Sequence, residues 1–131
     1  MREPLEGLVA GLAAVNRTDA QSREIDGVVE AGRTARFTGD LTPLPALNTR
    51  FHALLVESAG NELLADVLDG LTHVIEWMYT RRVRERGLWS WEEHAAIAAC
   101  VAARDRDGAQ ALACEHIRNA RDAYFATPAE T

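Results

Sequence analysis

Apolar residues recur at three- and four-residue spacing along nearly the whole chain, and no stretch alternates with the period of two that marks a half-buried strand. The first run extends from about Pro4 to Val15, with proline in the opening turn and Leu5, Leu8, Val9 and Leu12 on one face; Asn16 ends it. Thr18 with Gln21 predicts a capping box for a second helix carrying Ile25, Val28 and Val29, which frays towards Phe37 and stops at Gly39. Thr42 followed by Pro43 opens a third, with Leu44, Leu47, Phe51 and Leu55 facing inward, and Gly60 closes it. Asn61 caps a fourth helix, the longest, whose stripe is Leu64, Val67, Leu68, Leu71, Ile75 and Met78. Gly87 ends it after an arginine-rich last turn that suits the negative end of a helix dipole. Ser90 with Glu93 predicts a capping box for a fifth helix, to about Ala103, and Asp107 with Gln110 one for a sixth, to about Phe125. Short connections favour antiparallel neighbours. The expectation is an all-α antiparallel bundle of about six helices forming one domain over residues 1–125, with residues 126–131 as a frayed tail.

Composition narrows what such a bundle can do. The chain has 131 residues, 47% of them hydrophobic, with 9 Gly and 4 Pro: enough apolar material for a core and too little Gly and Pro for disorder. Its basic residues are 14 arginines and no lysine against 20 acidic residues, a net charge of −6, which is unsuited to neutralising nucleic-acid phosphates. No apolar run reaches the roughly 18 residues of a membrane span, and Met1-Arg2-Glu3-Pro4 does not open a signal peptide, so a cytoplasmic protein that does not enter a membrane is expected. Cys100 and Cys114 lack C-x-x-C spacing and sit in alanine-rich helical stretches, where free cysteines are expected as small buried hydrophobes in a reducing compartment.

The four histidines change the picture. At 100° per residue, His94 shares a face with Trp91, Ile97, Ala98 and Val101, and His116 lies among Ala109, Leu112, Ala113, Ala120 and Ala123. His52 sits beside Asn48, Leu55 and Ala59 at the edge of an apolar face, whereas His73, among Asp66, Asp69, Glu76 and Thr80, points at solvent. Three imidazoles therefore face inward from three helices whose faces of Ala, Leu, Ile and Val offer no side-chain partners. An unsatisfied ring nitrogen in the interior costs about 1–3 kcal/mol. A shared metal ion would satisfy one nitrogen of each, and Asn48, one turn before His52, could add an oxygen. Separate buried histidines, each hydrogen-bonded to a backbone carbonyl or a side chain, are the alternative.

The order of these features resembles the C-terminal effector-binding domain of GntR-family transcription regulators of the FadR subfamily. The likeness runs from Arg2-Glu3-Pro4-Leu5-Glu6 through Asn48-Thr49-Arg50-Phe51-His52, where the family has Asp-x-x-Phe-His, and Gly60-Asn61-Glu62-Leu63-Leu64. It continues at Glu93-His94-Ala95-Ala96-Ile97, at Ala102-Ala103-Arg104-Asp105 with Ala109 and Ala111, and at His116. The resemblance implies a helical bundle enclosing a pocket in which one Asp and three His bind a divalent metal and a small organic acid completes the coordination. His52, His94 and His116 fall on the histidines and Asn48 on the aspartate. It also implies a homodimer.

Two departures follow. Asn48 removes an anionic ligand, so metal, zinc or nickel by ligand type, is expected either more weakly or through the amide oxygen. The winged helix-turn-helix that precedes this domain in the family is absent, so the chain is expected to be the effector domain of a longer regulator, a stand-alone protein being the alternative, and to reach DNA only through such a domain. A metal held by neutral ligands keeps its charge and favours a small carboxylate effector. Arg82, continuing the Leu71, Ile75 and Met78 stripe, is the candidate to hold that effector's far end, against the alternative of a snorkelling cation at a helix end. Trp77, on the polar side of the fourth helix, suggests contact with a second subunit or the missing domain. An enzyme would need a general base, and Glu93, adjacent to His94, is expected off the site axis; no Ser-His-Asp order, phosphate loop or carboxylate pair is present. A metal-free helical dimerisation module remains a third possibility.

Overall fold

Chemistry at the helix ends sets the architecture. The computed structural model describes residues 2–69 and 91–126. Six helices lie within them: α1 (Arg2–Asn16), α2 (Asp19–Thr38), α3 (Leu44–Ala59), α4 (Glu62–Asp69), α5 (91–102) and α6 (Arg106–Ala126), with no strand among the described residues. The fold is an all-α antiparallel bundle. Thr18 Oγ1 accepts from Gln21 N at 3.1 Å while Gln21 Oε1 accepts from Thr18 N at 2.9 Å, which is the expected capping box. Gly39 (φ 82°) and Gly60 (φ 68°) end α2 and α3 in the left-handed region, and Asn61 Oδ1 caps α4 through Leu64 N at 3.1 Å.

Three expectations about helix starts and faces are corrected. Thr42 does not open α3: it is bound back to the Asp40 carboxylate through its own N–H (3.2 Å) and Oγ1 (2.5 Å), and Pro43 occupies the cap position without a side-chain bond. Those bonds hold the Asp40 carboxyl below its usual range. The α6 cap is Asp105, whose Oδ1 accepts from Gly108 N at 3.0 Å, rather than Asp107, which lies within the first turn. Val67 is 47% exposed, because α4 buries only the Leu64 and Leu68 line. The fourth helix beyond Asp69, including its predicted stop at Gly87, and the Ser90 half of the α5 capping box lie outside the described residues.

The core is close-packed along α1. Its most deeply buried positions are Val9, Ala10, Ala13 and Ala14, while the predicted leucines Leu5, Leu8 and Leu12 pack around them half-buried. Small residues let α6 approach: a Cβ at Gly7 would come within 2.4 Å of Cys114 Sγ. Elsewhere α1 packs on α3, which also carries α2 and α4. The two cysteines are free and half-buried rather than fully buried, and burial together with Asp105 pushes the Cys100 thiol up.

Two arginines fasten the end of α1 to the end of α5. Arg17 donates from Nε to Val101 O (3.2 Å) and from Nη2 to Ala102 O (2.6 Å). Arg104 returns the arrangement, donating from Nη1 to Val15 O (2.9 Å) and from Nη2 to Arg17 O (3.2 Å). Each guanidinium thereby binds carbonyls at or just beyond the end of the other helix, Val101 O accepting also from Arg104 N at 3.1 Å. Arg104 adopts a left-handed φ of 58°, the only non-glycine among the described residues to do so. On the opposite side Trp91, fully buried, donates from Nε1 to Val29 O at 2.8 Å and fills the space left by Gly32.

Candidate metal centre

The apolar faces of α3, α5 and α6 converge on three imidazoles. His52 from α3, His94 from α5 and His116 from α6 each present a potential ligand atom within 4.8 Å of the others. His94 is fully buried and His116 4% exposed; the His52 side chain is 13% exposed. Aromatic contacts hold the rings. Phe51, one residue before His52, stacks on His94 with centroids 4.3 Å apart and planes inclined by 20°, and Trp91 meets the same ring edge-on at 4.7 Å. His52 and His116 lie nearly parallel at 5.5 Å.

Ring nitrogens face each other inside this cluster. His94 Nε2 and His116 Nε2 are 3.2 Å apart. Two imidazole nitrogens bound to one tetrahedral zinc at about 2.0–2.1 Å stand roughly 3.3 Å apart, so the spacing suits a shared ion as well as a hydrogen bond. Asn48 lies one turn before His52, 2% exposed, and its Oδ1 has no hydrogen-bond partner. A buried amide oxygen without a donor is costly, and a cation is one group that would satisfy it. The donor set of three imidazoles and an amide oxygen therefore fits a divalent transition metal.

Sequence reasoning missed the outer partners. It expected surroundings without side-chain partners, yet two carboxylates reach the cluster. Glu93 Oε1 lies 2.7 Å from His116 Nδ1 while Asn119 Nδ2 donates to Glu93 Oε2 at 2.8 Å. Glu6 of α1, 7% exposed, brings Oε2 to 3.4 Å from His52 Nδ1, an ion-pair contact longer than a hydrogen bond. Glu93 was expected to point away from the site axis. It does leave the direction of His94, but it swings to the far nitrogen of His116. Glu6 carries a signal the sequence did offer, a lone carboxylate within the small-residue face of α1. A cleft of about 240 Å3 opens beside His52 and Glu6 and is floored by Ala53, Val56 and Leu68. His73, Trp77 and Arg82 lie outside the described residues.

The family model of the FCD domain matches residues 1–119. The chain belongs to the FCD domain family. The fold of this FCD domain is also that of the Streptococcus agalactiae GntR protein, with a TM-score of 0.79 at 24% identity over 93% of this chain and 55% of that one. The FCD domain described here thus spans about half the length of that related chain. No curated protein matches it. No helix among the described residues is long and apolar enough to cross a membrane.

Proposed function

We propose that this FCD domain is the ligand-sensing part of a cytoplasmic transcription regulator. It binds a divalent metal, zinc or nickel, through His52, His94 and His116 with Asn48 as an oxygen donor, and a small carboxylate effector completes the coordination. The observation that carries this reading is the convergence of three imidazoles from three helices within 4.8 Å. The bound metal would supply the positive charge that recognises the effector carboxylate. The role is regulatory rather than catalytic: the carboxylate nearest His116 is engaged by that ring and by Asn119 instead of being aimed at a reacting atom. A homodimer reaching DNA through a separate domain is the assembly this role requires. Glu6 brings α1 into contact with His52, so a change at the site is felt by the first helix. Only differential affinity for two arrangements of the bundle can turn that into a signal.

A metal-free dimerisation module is the second reading, favoured by the His94–His116 contact, which closes as a hydrogen bond without any ion. Metal analysis of the purified domain, followed by zinc and nickel titration with and without citrate-like carboxylates, separates the two. One equivalent of metal, lost in His116→Ala, with a carboxylate that raises the melting temperature only when metal is present, is the expected result. Absence of stoichiometric metal and a melting temperature indifferent to zinc and nickel would refute it. Turnover of an ester or amide abolished by His116→Ala would instead establish an enzyme.

A further inference from the structure

Glu93 stands one residue ahead of His94, so about 100° of helix rotation separates their side chains. While His94 enters the cluster, the Glu93 carboxylate passes to the flank of α6, where its two oxygens have different partners. Oε1 lies 2.7 Å from His116 Nδ1 and Oε2 accepts from Asn119 at 2.8 Å. Asn119 follows His116 by three residues, so one face of α6 holds both oxygens. We infer that Glu93, aimed by Asn119, is a positioning residue that holds His116 as its Nδ1–H tautomer and so presents an unprotonated Nε2 to the metal position.

The inference rests on the proposed metal site. A carboxylate can only accept, so at 2.7 Å the proton of that bond belongs to His116 Nδ1. The lone pair of a neutral ring is then on Nε2, the nitrogen 3.2 Å from His94 Nε2. A carboxylate behind a ligating imidazole fixes the ring's orientation and raises its basicity. Asn119 matters because it decides which group faces the ring. Its amide donor demands an acceptor, so in Glu93→Gln the new carbonyl oxygen turns to Asn119. The new NH2 then faces His116 Nδ1, and the ring proton moves to Nε2, where it competes with metal. The Glu93 side chain is 25% exposed and glutamine keeps its shape and a polar group at both partners, so Glu93→Gln costs the fold little, whereas Glu93→Ala takes an acceptor from a ring only 5% exposed.

Long-range proton–nitrogen NMR of the metal-free domain reads the tautomer directly. His116 protonated on Nδ1 in the native chain and on Nε2 in Glu93→Gln is the expected result. Zinc dissociation constants should rise about ten- to a hundredfold in both Glu93→Gln and Glu93→Ala, with the metal-free melting temperature little changed in Glu93→Gln. A native His116 protonated on Nε2, a tautomer that Glu93→Gln leaves unaltered, or zinc affinity unchanged in both variants overturns the inference. If the native domain takes up no zinc, the proposed metal site fails, and the metal-free spectra alone decide the role of Glu93.

Discussion

Two glycines of α2 should respond to the same substitution with opposite signs. A Cβ built at Gly27 meets nothing within 4 Å, whereas one built at Gly32 would stand 1.7 Å from Trp91 Cε2 and 1.9 Å from its Nε1. At Gly27, alanine removes the entropy penalty of a helical glycine and should stabilise by about 0.5–1 kcal/mol. At Gly32 the same gain is available but the methyl falls about 2 Å inside the normal carbon–carbon separation of about 3.5–4.0 Å. The indole has no room to yield, being fully buried and held by Val29 O. Either α2 lifts from α5, an overpacking cost of about 1–3 kcal/mol, or Trp91 leaves its site, at about 3–5 kcal/mol. The chain takes the cheaper route, so after the propensity gain Gly32→Ala should lose about 0.5–2 kcal/mol, a fall in melting temperature of roughly 2–10 °C for a chain of this length. Thermal and urea denaturation followed by helical circular dichroism measures both variants. Gly32→Ala melting at or above the native chain would refute the packing argument, and Gly27→Ala melting below it would refute the assignment of an open face.

Other outcomes follow from single side chains. Asn48→Asp should bind zinc at least about tenfold more tightly while destabilising the metal-free domain by about 1–3 kcal/mol, because the new carboxylate replaces an amide whose buried oxygen already lacks a donor; calorimetric zinc titration and melting curves that both match the native chain would contradict this. Arg104→Ala should lose about 1–2 kcal/mol with its bonds to Val15 O and Arg17 O. Arg104→Gly forfeits the same bonds but relieves the left-handed φ of 58°, so in urea titration it should prove about 1 kcal/mol more stable than the alanine variant. The raised thiol at Cys100 predicts slow modification by a disulfide reagent at pH 8, with the rate increasing in Asp105→Asn as the nearby negative charge is removed; equal rates in the two proteins would remove Asp105 as a cause.

Much of this was readable along the chain because the signals were local. The Thr18–Gln21 box, the glycine stops at 39 and 60, and the Asn61 cap each depend on residues within one turn. The inward face of α5, from Trp91 through His94 to Ile97, Ala98 and Val101, follows from helical spacing alone. The α6 start was misplaced because Asp107 and Gln110 repeat the spacing of a capping box two residues late. What selects Asp105 is the left-handed turn at Arg104, whose guanidinium is tied to α1, a partner 87–89 residues away in sequence. The same limit hid Glu93 and Glu6. Rotation about α5 or α1 says which way each carboxylate leaves its helix, but not that α6 or α3 brings a histidine to meet it. The small-residue face of α1 was legible as composition, yet its leucines looked like the better core until α6 proved close enough to exclude them.

That closeness of α1 to α6 bears on the order in which the domain can assemble. Helix α1 makes its most extensive helix–helix contact with α6, about a hundred residues further along the chain, and the arginines that lock its end reach partners 84–89 residues distant. During synthesis α1 can pack on α3 early, but its seam with α6 and its two arginine ties wait until residues beyond 104 are free. A helical protein usually folds fast because its contacts are local; here the final step is a long-range closure, with the loop entropy that implies. A contact reached last is mostly absent while the rest of the bundle forms, so enlarging Gly7 should speed unfolding more than it slows folding.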